Sequence, residues 1–217
     1  MKKTPYLVLF FIPLLFLLIS CGITEELEMA KLTNTELTEQ LTAQKKHYQT
    51  LEKLLQDLPE AIQQDQLTLK EEKDETDSLY DNKEGEVYAN YEKRQALLAD
   101  MAQIQKEMSK QQKQLQKLVK KQGVDVDNKQ LALIAQSLDI IFSDLNSINT
   151  YAESSFKQEA DYFSQPLSEQ TEEEATLIQR TYGSIHLLNE EAQPNIDYTL
   201  SLIKHFEKEA RKTPTTH

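Results

Sequence analysis

Cysteine, tryptophan, glycine and proline are scarce in this chain of 217 residues, which has one Cys, no Trp, four Gly and six Pro. A single cysteine cannot form an intramolecular disulfide, so no covalent cross-link within the chain can stabilise the fold. Few glycines and prolines also leave few of the residues that tight turns require. Leu, Gln, Glu and Lys, which favour helices, are abundant. The composition therefore predicts an all-α protein.

Basic residues are also outnumbered, since 24 Lys and Arg stand against 36 Asp and Glu and give a formal net charge of -12. A chain this acidic is repelled by a phosphate backbone, so we expect no nucleic acid partner. An anionic membrane surface would not attract it either. Attachment to a membrane would therefore require a hydrophobic anchor.

Motifs of known catalytic chemistry are missing as well. The chain contains no HExxH, CxxC, GxSxG or phosphate-binding glycine loop. Its four histidines, His47, His186, His205 and His217, are scattered, and surface or groove positions account for them. We therefore predict that the protein is not an enzyme and that it has no metal site and no cofactor.

The N-terminus has the features of an export signal. Lys2 and Lys3 precede an apolar run of roughly 14 residues, which matches a signal peptide, whereas a membrane span needs about 20. The run ends in Leu18-Ile19-Ser20-Cys21-Gly22, which resembles the lipobox of bacterial lipoproteins. We predict a signal peptide over residues 1–20, cleaved between Ser20 and Cys21, and an extracytoplasmic domain over 21–217. An uncleaved anchor helix with an ordinary buried cysteine is the alternative.

Cys21 is the predicted lipid attachment site. Its thiol can form a thioether to diacylglycerol, and two acyl chains hold a protein on a bilayer far more firmly than one. The amine freed by cleavage can also be acylated, a point that the sequence leaves open. Loss of Lys2 and Lys3 removes no acid, so the mature charge becomes -14. We expect this lipid anchor to place the protein on the outer face of the cell membrane.

Apolar residues recur at helical, heptad-like spacing in four stretches of the mature chain. These stretches run from Leu37 to Leu69, from Val87 to Leu118, from Leu131 to Phe156 and from Ile178 to Phe206. Long helices joined by short polar connections favour antiparallel neighbours. The pattern predicts an elongated, coiled-coil-like bundle of about four long helices, arranged as antiparallel hairpins.

Several residues mark where these helices should begin and end. Asp127 or Asn128 can cap the third helix, and Thr171 with Glu174 resembles a capping box for the fourth. Gly123 is placed to end the second helix.

The first connection and two prolines are further expected interruptions. Residues 70–86 are charged and nearly free of aliphatic side chains, so we predict a turn region in which Gly85 can adopt a left-handed conformation. Pro59 predicts either a kink or a break and restart of the first helix. Pro194 predicts a bend or split in the fourth.

A regular set of basic residues lies in the second helix, at steps of four, three, four and three. We call this set the lysine stripe, and it consists of Lys106, Lys110, Lys113, Lys117 and Lys120. This spacing places the stripe on one helix face, away from the apolar line. An acidic neighbouring helix is the commoner partner of such a face. An anionic wall polymer or a lipid headgroup is the other partner considered.

The chain also resembles a known family. A lipobox at Leu18 to Cys21 precedes roughly 200 acidic helical residues, with a heptad around residues 51–55 and a closing amphipathic helix around Tyr198, Phe206 and Ala210. In these features the chain resembles the YkyA-like cell-wall-binding lipoproteins of Gram-positive bacteria. The resemblance implies an all-α fold, a surface location and association with the cell wall, and it implies no catalytic residue.

Taken with the residues, this resemblance leads us to expect a lipid-anchored, non-enzymatic surface protein that binds a wall polymer or an envelope protein. The alternative is an accessory or substrate-capturing subunit of an envelope transporter or signalling complex.

Overall fold

The computed structural model describes residues 24–71 and 78–211, and these residues form four long helices. The helices are α1 (Glu25–Glu71), α2 (Glu86–Lys121), α3 (Asn128–Phe163) and α4 (Glu172–Ala210). Within those two ranges no residue belongs to a β-strand. The prediction of an all-α protein with four long helices is confirmed.

The first helix is longer than its apolar spacing from Leu37 predicted. It begins at Glu25, and Leu27 and Ala30 already contribute to the core. Pro59 lies inside α1 and Pro194 inside α4, and both helices continue without a break. The break and restart at Pro59 and the split at Pro194, one of the two alternatives predicted at each proline, are therefore excluded, since one missing N–H donor in a long packed helix does not end it.

The helices run alternately up and down, so that neighbours in sequence are antiparallel. Each of α1–α2, α2–α3, α3–α4 and α4–α1 packs as a direct interface. In every interface, a residue from the earlier half of one helix contacts a residue from the later half of the other. The contacts are Glu26 with Lys121, Asp139 with Gln112, Gln130 with Leu202 and Lys45 with Asp197.

This arrangement gives the bundle two distinct ends. The Thr24 end carries the start of α1, the 122–127 loop and the end of α4. The Tyr80 end carries the connections 78–85 and 164–171. These two connections are joined by a hydrogen bond from the Tyr80 amide to the Phe163 carbonyl, with N and O 3.1 Å apart.

One apolar core occupies most of the bundle, and a smaller cluster closes the Tyr80 end. The smaller cluster contains Leu79 and Tyr80, so the connection predicted as a charged turn region nearly free of aliphatic side chains contributes to the core. By length and composition alone α3 could cross a membrane, with a mean hydropathy of 1.3 over 18 residues. Its apolar line from Leu131 to Phe156 is buried against the other helices, as expected of a core helix.

Helix capping follows the sequence in part. The Asp127 carboxylate accepts a hydrogen bond from the Gln130 amide at 2.9 Å, and Thr171 Oγ1 accepts one from the Glu174 amide at 3.3 Å. Both predicted N-caps are confirmed. At the end of α2, however, Gln122 adopts the left-handed conformation expected of Gly123, with φ of 52°.

The start of α2 is capped by a residue from another helix. Asp65 of α1 is 4% exposed, and its carboxylate accepts hydrogen bonds from the amides of Glu86 (3.0 Å) and Val87 (2.8 Å). Gly85 is extended, with φ of -72°, so the predicted left-handed conformation is wrong. Glycine is needed there for space, because a Cβ atom would lie 2.6 Å from Asp65 Oδ2.

We predict that Asp65→Ala lowers the free energy of unfolding by about 1–3 kcal/mol, because two partly or fully buried amides lose their acceptor. Urea denaturation followed by circular dichroism measures this loss. Asp125→Ala is the matched control, since Asp125 is exposed and has no side-chain hydrogen bond within the described residues. That change should stay within about 0.5 kcal/mol of wild type. Equal losses in both variants would contradict the capping role.

Candidate functional site

The lysine stripe is the most regular charged surface in the part of the chain that the structure describes. All five of its side chains are exposed. At about 100° per residue, the stripe lies roughly opposite the buried line of Met101, Met108 and Leu115. The expected solvent-facing position is thus what the structure shows.

No ion pair within 4.0 Å joins a stripe lysine to an acid in residues 24–71 or 78–211. The neighbouring Lys121 does form one, with its Nζ 3.6 Å from Glu26 Oε1. Lys117 shares a small surface cavity with Glu25 and Glu26 and remains outside ion-pair distance. An acidic partner helix is the commoner explanation of such a stripe. Among the described residues, however, no acidic helix forms ion pairs with this face.

The predicted lipid attachment and cleavage residues, Cys21 and Ser20, lie outside the described residues. The structure begins three positions after Cys21, at the Thr24 end of the bundle.

A buried charged network lies near the Tyr80 end, where sequence reasoning placed no site. Arg94 of α2 and Glu159 of α3 are both fully buried and form a two-pronged ion pair, with N–O distances of 2.5 and 2.6 Å. Tyr80 donates to Glu159 Oε1 at 3.0 Å, and Tyr182 of α4 donates to Oε2. Asn90 accepts from Arg94 Nε at 2.6 Å. We call these five residues the Arg94–Glu159 network.

The electrostatics of the network keep Tyr80, Tyr182 and Arg94 in their ordinary protonation states. Burial raises the pKa values of Tyr80 and Tyr182 above 10.0, and the negative charge of Glu159 raises them further. Burial by itself would lower the pKa of Arg94, but its hydrogen bonds to Glu159 and the negative charge of Glu159 together outweigh that effect and raise it. Both phenols therefore remain hydrogen-bond donors and Arg94 remains a cation.

The geometry of the network fits a structural role. Each Glu159 oxygen already accepts two hydrogen bonds, one from Arg94 and one from a tyrosine. No acceptor position remains for a substrate proton. The guanidinium also stacks 4.5 Å from the centre of the Phe156 ring. Arg94 and Glu159 are both closed off from solvent, and the network holds helices together.

A sequence signal for this network existed and was missed. The apolar line of α2 skips from Tyr91 to Leu98, and Arg94 fills the gap at heptad spacing. The line of α3 reaches Phe156, and Glu159 occupies its next position. One basic and one acidic residue in the core positions of adjacent antiparallel helices predict a buried pair.

Three tyrosines pack into the core, and His186 occupies a groove, as expected. Tyr48 is fully buried, and Tyr91 and Tyr182 are partly buried. His186 lines a groove of about 270 Å³ between α1 and α4, with its Nδ1 3.1 Å from Glu52 Oε1 and its Nε2 3.6 Å from Glu190 Oε1. Its ring thus lies between carboxylates on two helices.

Within residues 24–71 and 78–211, no three His, Cys, Asp or Glu side chains are grouped so that they could hold a metal ion.

Comparisons with protein-family models, with curated proteins and with solved structures find no match to this chain. The resemblance to the YkyA-like family stays a prediction.

We predict that Arg94→Met lowers the free energy of unfolding by about 3–5 kcal/mol, because Glu159 is then buried without its cation. Adding Glu159→Met should recover part of that loss, since it removes the buried unpaired charge but leaves the Tyr80 and Tyr182 hydroxyls without their acceptor. Urea denaturation of both single variants and the double variant forms a double-mutant cycle. Additive losses in the double variant would show that the pair does not act as a unit.

Proposed function

We propose that this chain is a non-enzymatic lipoprotein of the cell surface, held on the outer face of the membrane by lipid on Cys21. Its helical bundle contacts an anionic polymer of the cell wall through the lysine stripe. The observation that carries this proposal is that five regularly spaced lysines are exposed and form no ion pair with any described acid, in a chain with 36 acidic residues. The resemblance to the YkyA-like family supports the same assignment.

Repulsion between the like charges of the stripe lowers the stability of the fold. Like charges three or four positions apart on a helix destabilise it by about 0.2–0.5 kcal/mol per pair, and the stripe contains four such neighbouring pairs. Acidic residues are abundant enough in this chain to have neutralised it. Because no described acid forms an ion pair with the stripe, an external anion is the partner that we propose for it.

The topology is compatible with the proposed anchor. Residue 24 follows Cys21 by three positions, so an anchored protein has its Thr24 end next to the bilayer. With 47 residues, α1 extends about 70 Å at 1.5 Å per residue. The Tyr80 end would then reach well beyond the membrane surface.

A second candidate function is that of an accessory subunit that binds an envelope protein. The observation in its favour is that large apolar side chains are exposed on α3 and α4. Ile140 and Tyr151 are each 50% exposed, Tyr198 is 54% and Leu187 is 61%. Crosslinking from the native membrane separates the two functions, because an accessory subunit should give one recurrent membrane-protein partner.

We predict that Cys21→Ala abolishes incorporation of a clickable fatty acid, because no other thiol in the chain can carry diacylglycerol. The variant should accumulate as an uncleaved precursor or be released in soluble form. In-gel fluorescence after metabolic labelling measures this, with the wild-type chain as the positive control. Labelling that persists in the variant would exclude the proposed anchor.

We predict that replacing all five stripe lysines with Gln lowers retention of the protein on purified cell wall. Gln keeps helix propensity close to that of Lys while removing the charge. The measurement is a pull-down on wall with and without its anionic polymers, with helicity checked by circular dichroism.

A matched control removes five charges from elsewhere on the same protein. Lys46, Lys53, Lys93, Lys157 and Lys204 are exposed, lie off the stripe and form no ion pair within the described residues. Their replacement with Gln should leave retention closer to wild type, although the net charge falls equally. If both variants lose retention equally, net charge and not the stripe governs binding.

A further inference from the structure

We infer that the lysine stripe binds one extended polyanion that lies along α2, parallel to the bundle axis. The ligand is a linear chain whose negative groups repeat along its length, as in a phosphodiester polymer. This inference rests on the proposed function and specifies the ligand of the same surface.

The stripe is nearly straight. Steps averaging 3.5 residues, on a helix of 3.6 residues per turn, rotate the stripe by only about 40° between Lys106 and Lys120. Over the same interval it advances about 21 Å, which is close to 5 Å per lysine. A line of evenly spaced cations favours a ligand that is itself a line of anions.

The same geometry disfavours a single small anion. The five side chains are exposed and spread along the helix, and the surface cavity that Lys117 lines is small, at about 100 Å³. One phosphate group would meet one or two of these lysines, and exposed ion pairs are individually weak. Only a ligand that contacts several lysines together can bind with useful affinity.

Acidic residues leave the stripe largely clear. The sequence from Met108 to Val124 contains five lysines and no acid. Glu107 is half-buried and accepts a hydrogen bond from Gln103 at 2.8 Å, while Glu25 and Glu26 lie near Lys117. Because exposed charges are screened beyond about 8 Å at physiological ionic strength, a polymer on this face interacts mainly with the lysines.

Lipid headgroups are the other source of phosphate, and the topology disfavours them. If the bundle stands on its Thr24 end, Lys120 lies near the membrane and Lys106 lies about 21 Å farther out along the axis. Headgroups share one plane, so they could reach only the last lysines. A strand that leaves the membrane surface could contact all five.

The test is calorimetric titration of the mature lipidated protein, in neutral detergent micelles, with inorganic phosphate, tripolyphosphate and long linear polyphosphate. The control protein, with its five off-stripe lysines replaced by Gln, should bind phosphate ligands more tightly as the length of the phosphate chain increases. An increase of at least about fivefold from inorganic phosphate to the long chain is expected, since each further exposed contact multiplies affinity by about 1.5 to 5. The five-Gln stripe variant should lose this dependence on length, and added salt should weaken binding.

Equal length dependence in the two variants would overturn the inference. A second result would also overturn it: the stripe is required for binding to vesicles containing phosphatidylglycerol, while binding to polyphosphate does not depend on chain length. The ligand would then be an array of headgroups. If wall retention requires the stripe while polyphosphate length has no effect, the proposed function stands and this inference fails. If length dependence is present but wall retention is unaffected, the extended-ligand geometry holds and the wall assignment fails.

Discussion

Arg94 and Glu159 form a buried ion pair on which the alignment of the bundle depends. Each charge is fully enclosed, so either one left alone would cost several kcal/mol. A slip of one turn between α2 and α3 would separate them and leave both without a partner. Heptad seams alone tolerate such slips far better, because one apolar layer resembles the next. The pair therefore selects one register between two otherwise repetitive helices.

The remaining members of the network extend this constraint to the rest of the bundle. Tyr80 attaches the α1–α2 connection to Glu159, and Tyr182 attaches α4. Asn90 bonds Arg94 and also donates to the Leu54 carbonyl of α1, at 2.8 Å. All four helices are thus tied near the Tyr80 end without a disulfide. This polar layer provides alignment, while the long apolar core provides most of the stabilisation.

That alignment also determines where the charges of the surface lie. With its apolar line facing the core, α2 must present its opposite face, and the lysine stripe with it, to solvent. The chain as a whole is strongly acidic, so the stripe is a local exception within a repulsive surface. A surface of this kind favours short-range, multivalent contact over long-range attraction. The proposed wall-polymer function follows from this combination.

Much of the fold could be predicted from the sequence, because it depends on local periodicity. Apolar spacing identified four helices, and the side chains of Asp127 and Thr171 marked two helix starts that depend on contacts a few residues away. The exposed position of the lysine stripe followed from the same periodicity. The lipobox prediction around Cys21 likewise depends on adjacent residues, although it lies beyond the described part of the chain.

Other features were decided only by the tertiary structure, because they join residues far apart in sequence. The Asp65 cap on α2, the space that requires Gly85 and the pairing of Arg94 with Glu159 all involve separate elements. The prolines show the same limit, because local rules allowed either a bend or a break at Pro59 and Pro194, and packing kept α1 and α4 continuous. Whether the lysine stripe had an acidic neighbour was also decided by helix packing. The sequence by itself determined which helix faces are apolar, because the apolar face depends on residue spacing. The tertiary structure decided which faces meet, because the packing of the faces depends on burying charges only in pairs.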